Sequence, residues 1–149
     1  MDLPRIEKPN PRELAWIQEN IKLAQSLIGS TGECTAASLA SLDEAYAAWV
    51  ELEPSEHAEI NSVINAVGIY LGQCLVNQVG FKWIVATDDH GTELAVLALP
   101  GKGDVIVYPA NFVAKRWESK EVRFLAPAFD NITRQTADVA SKGLPPRPS

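Results

Sequence analysis

The hydrophobic pattern of the sequence changes its period at Gly80, and this change constrains the fold more than any other feature. Before Gly80, apolar residues recur three and four positions apart, as on one face of an α-helix. These residues are Ile60, Val63, Ile64, Val67, Leu71, Cys74, Leu75 and Val79. After Gly80, residues 81–108 are rich in aromatic and β-branched side chains and contain two turn sequences, at 88–91 and 100–104. Because short connections force neighbouring strands to be antiparallel, we expect a three-stranded antiparallel meander at about 81–108.

Helical patterns flank this region on both sides, which predicts an α+β fold with N-terminal and C-terminal helices. Asn10 followed by Pro11 fits the start of a first helix. Ser41 and Glu44 fit a capping box that would open a second helix. Residues 1–10 are expected to be an extended lead-in, 11–140 a single domain, and the proline-rich residues 141–149 a flexible tail.

The three predicted strands are apolar on both faces. An antiparallel sheet with one solvated face alternates more regularly between apolar and polar residues. We therefore expect helices on one face of the sheet, and a further helix or a partner subunit on the other.

Composition narrows the class of partner. The formal net charge is −6, which argues against a nucleic-acid backbone as ligand. Eleven acidic and four basic side chains lie in residues 1–60, against eight and nine in residues 61–149. The N-terminus lacks the pattern of a signal peptide, and no apolar run is long enough to span a membrane, so we expect a cytoplasmic protein.

The chain has two cysteines, Cys34 and Cys74. Two cysteines do not make a disulfide framework, and Cys74 lies on the apolar stripe of the long helix, where a thiol acts as a small hydrophobic group. A bridge between the two remains an open alternative.

Gly68 and Gly72 lie four residues apart beside the same stripe. Each costs a helix about 1 kcal/mol relative to alanine. Close approach of another element, within the protein or across a dimer interface, would compensate, and we expect such a neighbour rather than a ligand groove.

The densest group of ionisable side chains is Asp88, Asp89, His90 and Glu93. Carboxylates and an imidazole can hold a metal or carry out acid–base chemistry. Hairpin turns also favour aspartate, and no second acidic cluster completes a coordination sphere, so we interpret the group as turn chemistry. We predict no metal site, no cofactor and no catalytic residue.

The one basic cluster consists of Lys115 and Arg116 with Lys120 and Arg123, and Tyr108 and Trp117 lie nearby in sequence. Of these, Lys115, Arg116, Lys120 and Tyr108 are the predicted ligand- or partner-binding site, because a guanidinium offers a planar fork to a carboxylate or phosphate while lysine adds a point charge. Two alternatives remain open. The cluster can be a solvated helix face, or Arg116 can form an internal ion pair with Glu44 or Asp88.

The order of several motifs resembles a widespread bacterial family that is known only as a domain of unknown function. The motifs are Val67-Gly68-Ile69-Tyr70-Leu71-Gly72, Trp83, Asp88-Asp89-His90-Gly91, Tyr108-Pro109 and Lys115-Arg116-Trp117-Glu118. The resemblance covers about residues 38–132, and Val67 stands where the family pattern has leucine. It implies an α+β domain and a bacterial, cytosolic origin, and it implies no activity.

These observations favour a non-enzymatic protein-interaction or binding domain, with a protein partner or as a homodimer. A regulatory domain that binds a small molecule or an anion is the first alternative. An enzyme that uses the turn at Asp88 to His90 is the second.

Overall fold

The structure is a computed structural model that describes residues 4–56 and 59–142. In this part of the chain, five helices and four strands form an α+β fold, which confirms the predicted class. The elements are β1 (Arg5–Glu7), α1 (Pro11–Ile28), α2 (Ala36–Val50), α3 (Ile60–Val79), β2 (Lys82–Asp88), β3 (Gly91–Ala98), β4 (Val105–Val107), α4 (Pro109–Glu118) and α5 (Leu125–Lys142), with a short 3₁₀ turn at Pro54–Glu56.

The sheet is an antiparallel meander in the order β1-β2-β3-β4. Trp83 lies opposite Val96, and Val96 lies opposite Val107, as the predicted meander requires. The predicted strand count is wrong, because β1 adds a fourth strand within the expected lead-in by pairing Ile6 with Ala86. This strand has only three residues and is flanked by prolines, so it carries no alternating pattern that a sequence can reveal.

The long helix α3 lies at the centre of the core, and its two glycines explain how α4 reaches it. A Cβ atom added to Gly68 would lie 2.6 Å from Cα of Ala110. One added to Gly72 would lie 2.5 Å from the tip of the Trp83 ring. The expected close neighbour is therefore present within the protein, and it fixes the first turn of α4 against α3.

The second helix begins earlier than predicted. Thr35 is its N-cap, and Thr35 and Ser38 form the reciprocal pair of hydrogen bonds at its first turn. The proposed capping box at Ser41 and Glu44 is therefore wrong, since both residues lie inside the helix. The sequence pattern favoured the wrong start because Ser41 and Glu44 match the usual Ser-x-x-Glu capping box, whereas the box that forms has Ser38 in place of the glutamate.

The last helix continues to Lys142, so the first two residues assigned to the tail are helical. The remaining tail residues, 143–149, and residues 1–3 of the lead-in lie outside the described part of the chain.

One face of the sheet packs on the helices, and the other carries a separate cluster. The second cluster contains Ile84, Ala86, Ala95 and Leu97, with Ile106 and Tyr108 at its border. In the described residues it includes no apolar side chain from within a helix. The expectation of a further helix on this face is therefore not met in this part of the chain.

Candidate functional site

Helix α4 directs its polar side chains into two separate clefts. It begins at Pro109, directly after the last strand, and its C-terminal turn contains Lys115 and Arg116. Trp117 holds the helix to the core, with its ring centroid 5.0 Å from that of Trp49. Helix α4 packs mainly on α3, and its residues line a cleft at the end of the sheet on one side and a cleft beside α5 on the other.

The cleft beside α5, called here the α4–α5 cleft, has a volume of about 520 Å³. Its lining combines two guanidinium groups with several apolar side chains. The residues are Phe112, Arg116, Glu121, Val122, Arg123, Phe124, Pro127, Ala128, Asn131 and Ile132. An open cleft of this composition suits a ligand that has both an apolar part and a negative charge.

Arg116 is held in place in this cleft by its own helix. Its guanidinium carbon lies 3.5 Å from the centroid of the Phe112 ring and 5.8 Å from that of Phe124. One amino group donates a hydrogen bond of 3.1 Å to the carbonyl oxygen of Phe112. Cation–π contact and this hydrogen bond restrict the side chain while leaving its other N–H donors available.

The predicted alternative of an internal ion pair from Arg116 to Glu44 or Asp88 is not the arrangement found. Glu44 pairs instead with Arg123, through hydrogen bonds of 2.9 and 3.1 Å to its two carboxylate oxygens. This contact lowers the pKa of the exposed Glu44 carboxyl. Within residues 4–56 and 59–142, the ion pairs join Arg5 to Glu7, Glu44 to Arg123, Asp130 to Arg134 and Asp138 to Lys142, and Arg116 is in none of them.

The wall that α5 contributes to the cleft is positioned by Asp43 of α2. Its carboxylate accepts hydrogen bonds from the backbone N–H groups of Leu125, at 2.8 Å, and Ala126, at 2.9 Å. Asp43 is therefore the N-terminal cap of α5, although it lies in another helix. Burial raises the pKa of the Asp43 carboxyl, and the two backbone donors oppose that rise.

The cleft at the end of the sheet, called here the sheet-end cleft, has a volume of about 390 Å³. Its lining is Ala86, Asp88, His90, Gly91, Thr92, Glu93, Tyr108 and Asn111. The cleft therefore brings together three of the ionisable residues of the turn with Tyr108. One carboxylate oxygen of Asp88 accepts a hydrogen bond of 2.8 Å from the backbone N–H of His90, which is the turn role expected from the sequence.

The pKa values of two side chains at this cleft, Glu93 and Tyr108, are raised. Burial is the largest cause of the raised pKa of Glu93, the nearby Asp88 raises it further, and Lys115 opposes the rise. Burial, with Asp88 and Glu93 nearby, also raises the pKa of Tyr108. In the described part of the chain, no three His, Cys, Asp or Glu side chains lie together in a way that could hold a metal ion.

The structure divides the four predicted binding residues. Arg116 lies in the α4–α5 cleft, Tyr108 lines the sheet-end cleft, and Lys115 lies on the Glu93 side of the helix. Lys120 is exposed beyond the end of α4, in a left-handed backbone conformation with φ of 58°. They do not form one site.

Sequence reasoning missed the aromatic and polar members of the α4–α5 cleft. The spacing of four residues between Phe112 and Arg116 would have indicated their contact, since such pairs face each other on a helix. Phe124 and Asn131 gave no signal, because only the packing of α5 brings them to α4.

Comparison with known proteins agrees with the resemblance seen in the motifs. No curated protein and no solved structure matches the chain. None of the described helices is both long and apolar enough to cross a membrane. Residues 45–127, more than half of the chain, match the family described as a domain of unknown function (DUF3806). This segment includes the two glycines of α3, the whole sheet apart from β1, helix α4 and the first turn of α5, and the chain belongs to that family.

Proposed function

We propose that this chain is a non-enzymatic binding domain of the bacterial cytoplasm, and that it binds an acidic group of a protein partner in the α4–α5 cleft. One observation carries the proposal. The Arg116 guanidinium is oriented by Phe112 inside an open, partly apolar cleft, and it has no carboxylate partner among the described residues.

The geometry of Arg116 favours carboxylate recognition for a physical reason. A long side chain usually loses rotamer freedom when it binds a ligand, which costs about 0.5–1.5 kcal/mol. Contact with Phe112 has already restricted Arg116, so little of this cost remains. A guanidinium also presents parallel N–H donors that match the two oxygens of a carboxylate.

The rest of the lining indicates the chemistry next to the acidic group. Val122, Pro127 and Ile132 provide an apolar surface beside Arg116. The ligand that fits is a carboxylate attached to, or next to, an apolar side chain. A separate protein can supply such a carboxylate, and so can a second copy of the chain. In that second copy, residues 1–60 have an excess of acidic groups, and α1 exposes the apolar side chains of Trp16 and Leu23.

Titration of the ¹⁵N-labelled protein with N-acetyl-leucine tests the proposal, because this probe combines a carboxylate with an apolar side chain. We expect amide shifts centred on Phe112, Arg116 and Phe124. N-acetyl-leucinamide, which lacks the carboxylate, is the matched control and should cause much smaller shifts.

Inorganic phosphate tests the alternative of an anion-binding regulatory domain, and stronger shifts with phosphate than with N-acetyl-leucine would favour it. Shifts centred elsewhere would contradict the proposal.

A second candidate function is favoured by the sheet-end cleft, where Asp88, His90 and Glu93 line one cavity and Glu93 has a raised pKa. A carboxyl group whose pKa is raised can act as a general acid or base. Calorimetric titration with zinc, calcium and magnesium tests the metal-dependent form of this enzyme hypothesis. We expect no tight binding, because an oxygen of Asp88 is already used within the turn. A submicromolar site that His90→Ala abolishes would favour the enzyme over the binding domain.

A further inference from the structure

The two cysteines, 40 positions apart in sequence, meet in the core. Cys34 precedes α2 and Cys74 lies in α3, and both are buried as free thiols. The Cys74 sulfur lies 3.8 Å from the carbonyl oxygen of Thr35, and Gln78, one helical turn later, donates a hydrogen bond of 3.1 Å to the carbonyl oxygen of Cys34. These contacts fix the start of α2 against α3, and both cysteines belong to the same buried core cluster.

The surroundings shift the pKa values of the two thiols in opposite directions. The neighbouring Cys74 side chain is the largest cause of the lowered pKa of Cys34, while the contact with Cys34 and burial raise the pKa of Cys74. A hydrogen bond to the charged form of a thiol stabilises the thiolate. Of the two cysteines, Cys34 is therefore the one that we expect to act as the nucleophile.

A third polar group borders the pair. The hydroxyl of Tyr70 is close to Cys34 and Ser38, and the Tyr70 side chain is fully buried. Its oxygen has no well-formed hydrogen bond to any described residue. A buried polar atom without a partner is costly, and a new oxygen on the Cys34 sulfur would provide that partner.

We propose that Cys34 and Cys74 form a reversible redox pair that peroxide closes into a disulfide bond. The Cys34 thiolate attacks one oxygen of hydrogen peroxide, the O–O bond breaks, and the leaving hydroxide takes a proton to become water. Cys34 then carries a sulfenic acid. The Cys74 sulfur attacks the Cys34 sulfur, the S–O bond breaks, and the second hydroxide leaves with the Cys74 proton as water. In sum, two thiols lose two electrons and two protons, and one peroxide becomes two waters.

Access and consequence both follow from the position of Cys34. Cys34 is buried but comes directly after the exposed segment 29–33, so we expect peroxide to reach it when this segment opens. The bond would join two elements that are far apart in sequence, which restricts the unfolded chain. A thiol pair of this kind fits a protein in a reducing compartment, where disulfides are mostly transient and regulatory.

The test is oxidation of the full chain in its folded state with hydrogen peroxide, followed by denaturing alkylation and intact-mass measurement. We expect the wild type to lose two hydrogens in mass, to accept no alkylating reagent, and to give one peptide that links Cys34 to Cys74. Its melting temperature should rise by about 10 °C and return on reduction. In guanidinium chloride, where the fold no longer holds the thiols together, the intramolecular bond should form more slowly.

Two variants separate the roles of the cysteines. Cys74→Ser should stop at a sulfenic acid on Cys34, which dimedone traps. Cys34→Ser should react about tenfold more slowly with peroxide than the wild type, because it lacks the activated thiolate. The proposal is overturned if the folded wild type keeps two alkylatable thiols, if the bond forms between two chains, or if Cys34→Ser reacts as fast as the wild type. The wild-type measurement decides even if neither variant folds.

Discussion

Asp43 in α2 caps the first turn of α5, with its carboxylate oxygen 2.8 Å from the backbone nitrogen of Leu125. The two residues are 82 positions apart, so this contact fixes α5 against a helix that is distant in sequence. It also sets the position of Phe124, whose ring borders the α4–α5 cleft. The geometry of the candidate site therefore depends on a buried aspartate outside the family match at residues 45–127.

Removing this cap should destabilise the fold. We expect Asp43→Ala to lower the free energy of unfolding by about 2 kcal/mol, because two backbone N–H groups lose their acceptor. The adjacent Glu44 is the matched control, since its ion pair with Arg123 is exposed. Denaturant melts of Asp43→Ala and Glu44→Gln measure the contrast. Equal losses in the two variants would show that the cap is not important for stability.

The raised pKa of Asp43 predicts a dependence of stability on pH. Because burial raises its pKa in the folded state above the unfolded value of 3.8, the folded protein binds the proton more tightly. This contribution to stability is complete below the unfolded pKa and is lost as pH rises through the folded pKa. Relative to Asp43→Asn, which does not titrate there, the wild type should become less stable across that window. Melting temperatures measured at several pH values check this, and an opposite trend would mean that the backbone donors outweigh burial.

Substitution of the α3 glycines should destabilise the protein by overpacking. We expect Gly68→Ala and Gly72→Ala each to cost about 1–3 kcal/mol. Gly68 should cost more, because its added methyl group would meet the backbone of Ala110, whereas at Gly72 it would meet the edge of the Trp83 side chain. Gly32→Ala is the control, since its nearest neighbour is the Ser30 hydroxyl at 3.5 Å. Thermal melts decide, and a Gly68→Ala protein that melts like the wild type would contradict the close contact.

Local pattern was enough to predict the central part of the fold. The change of period at Gly80 indicated the boundary between α3 and the meander, and the glycine pair indicated a tight packing neighbour. Strand β1 was missed because a strand of three residues carries no periodicity. Its pairing is decided by the exposed edge of β2 and not by its own sequence.

The candidate site was predicted only in part, for a related reason. Arg116 stood out as a cation in an acidic chain, and its contact with Phe112 is local. The partner of Glu44 could not be predicted, because Arg123 lies 79 residues away and only the packing of α5 on α2 joins them. Tyr108 and Lys115 were grouped with Arg116 by sequence proximity, whereas Tyr108 lines the sheet-end cleft and Lys115 lies on the Glu93 side of α4.

Arg116 should contribute little to folding if it serves a partner. We expect Arg116→Ala to lower the free energy of unfolding by about 1 kcal/mol or less, through loss of its contact with the Phe112 ring. Lys115→Ala, at the next position of the same helix, is the control for loss of one positive charge. Thermal melts of both variants check this. A loss of several kcal/mol in Arg116→Ala would indicate a buried internal partner instead.

The affinity of N-acetyl-leucine for three forms of the protein tests the proposed binding role most directly. The dissociation constant is measured by amide-shift titration for the wild type, Arg116→Gln and Lys115→Gln, with each variant first shown to melt near the wild-type temperature. Because a charge-assisted hydrogen bond contributes about 1.5–3 kcal/mol, Arg116→Gln should weaken binding by about tenfold or more. Lys115→Gln, which lies on the other side of α4, should bind nearly as well as the wild type. Equal affinities for the wild type and Arg116→Gln would contradict the role of Arg116 and, with it, the assignment of the α4–α5 cleft as the binding site.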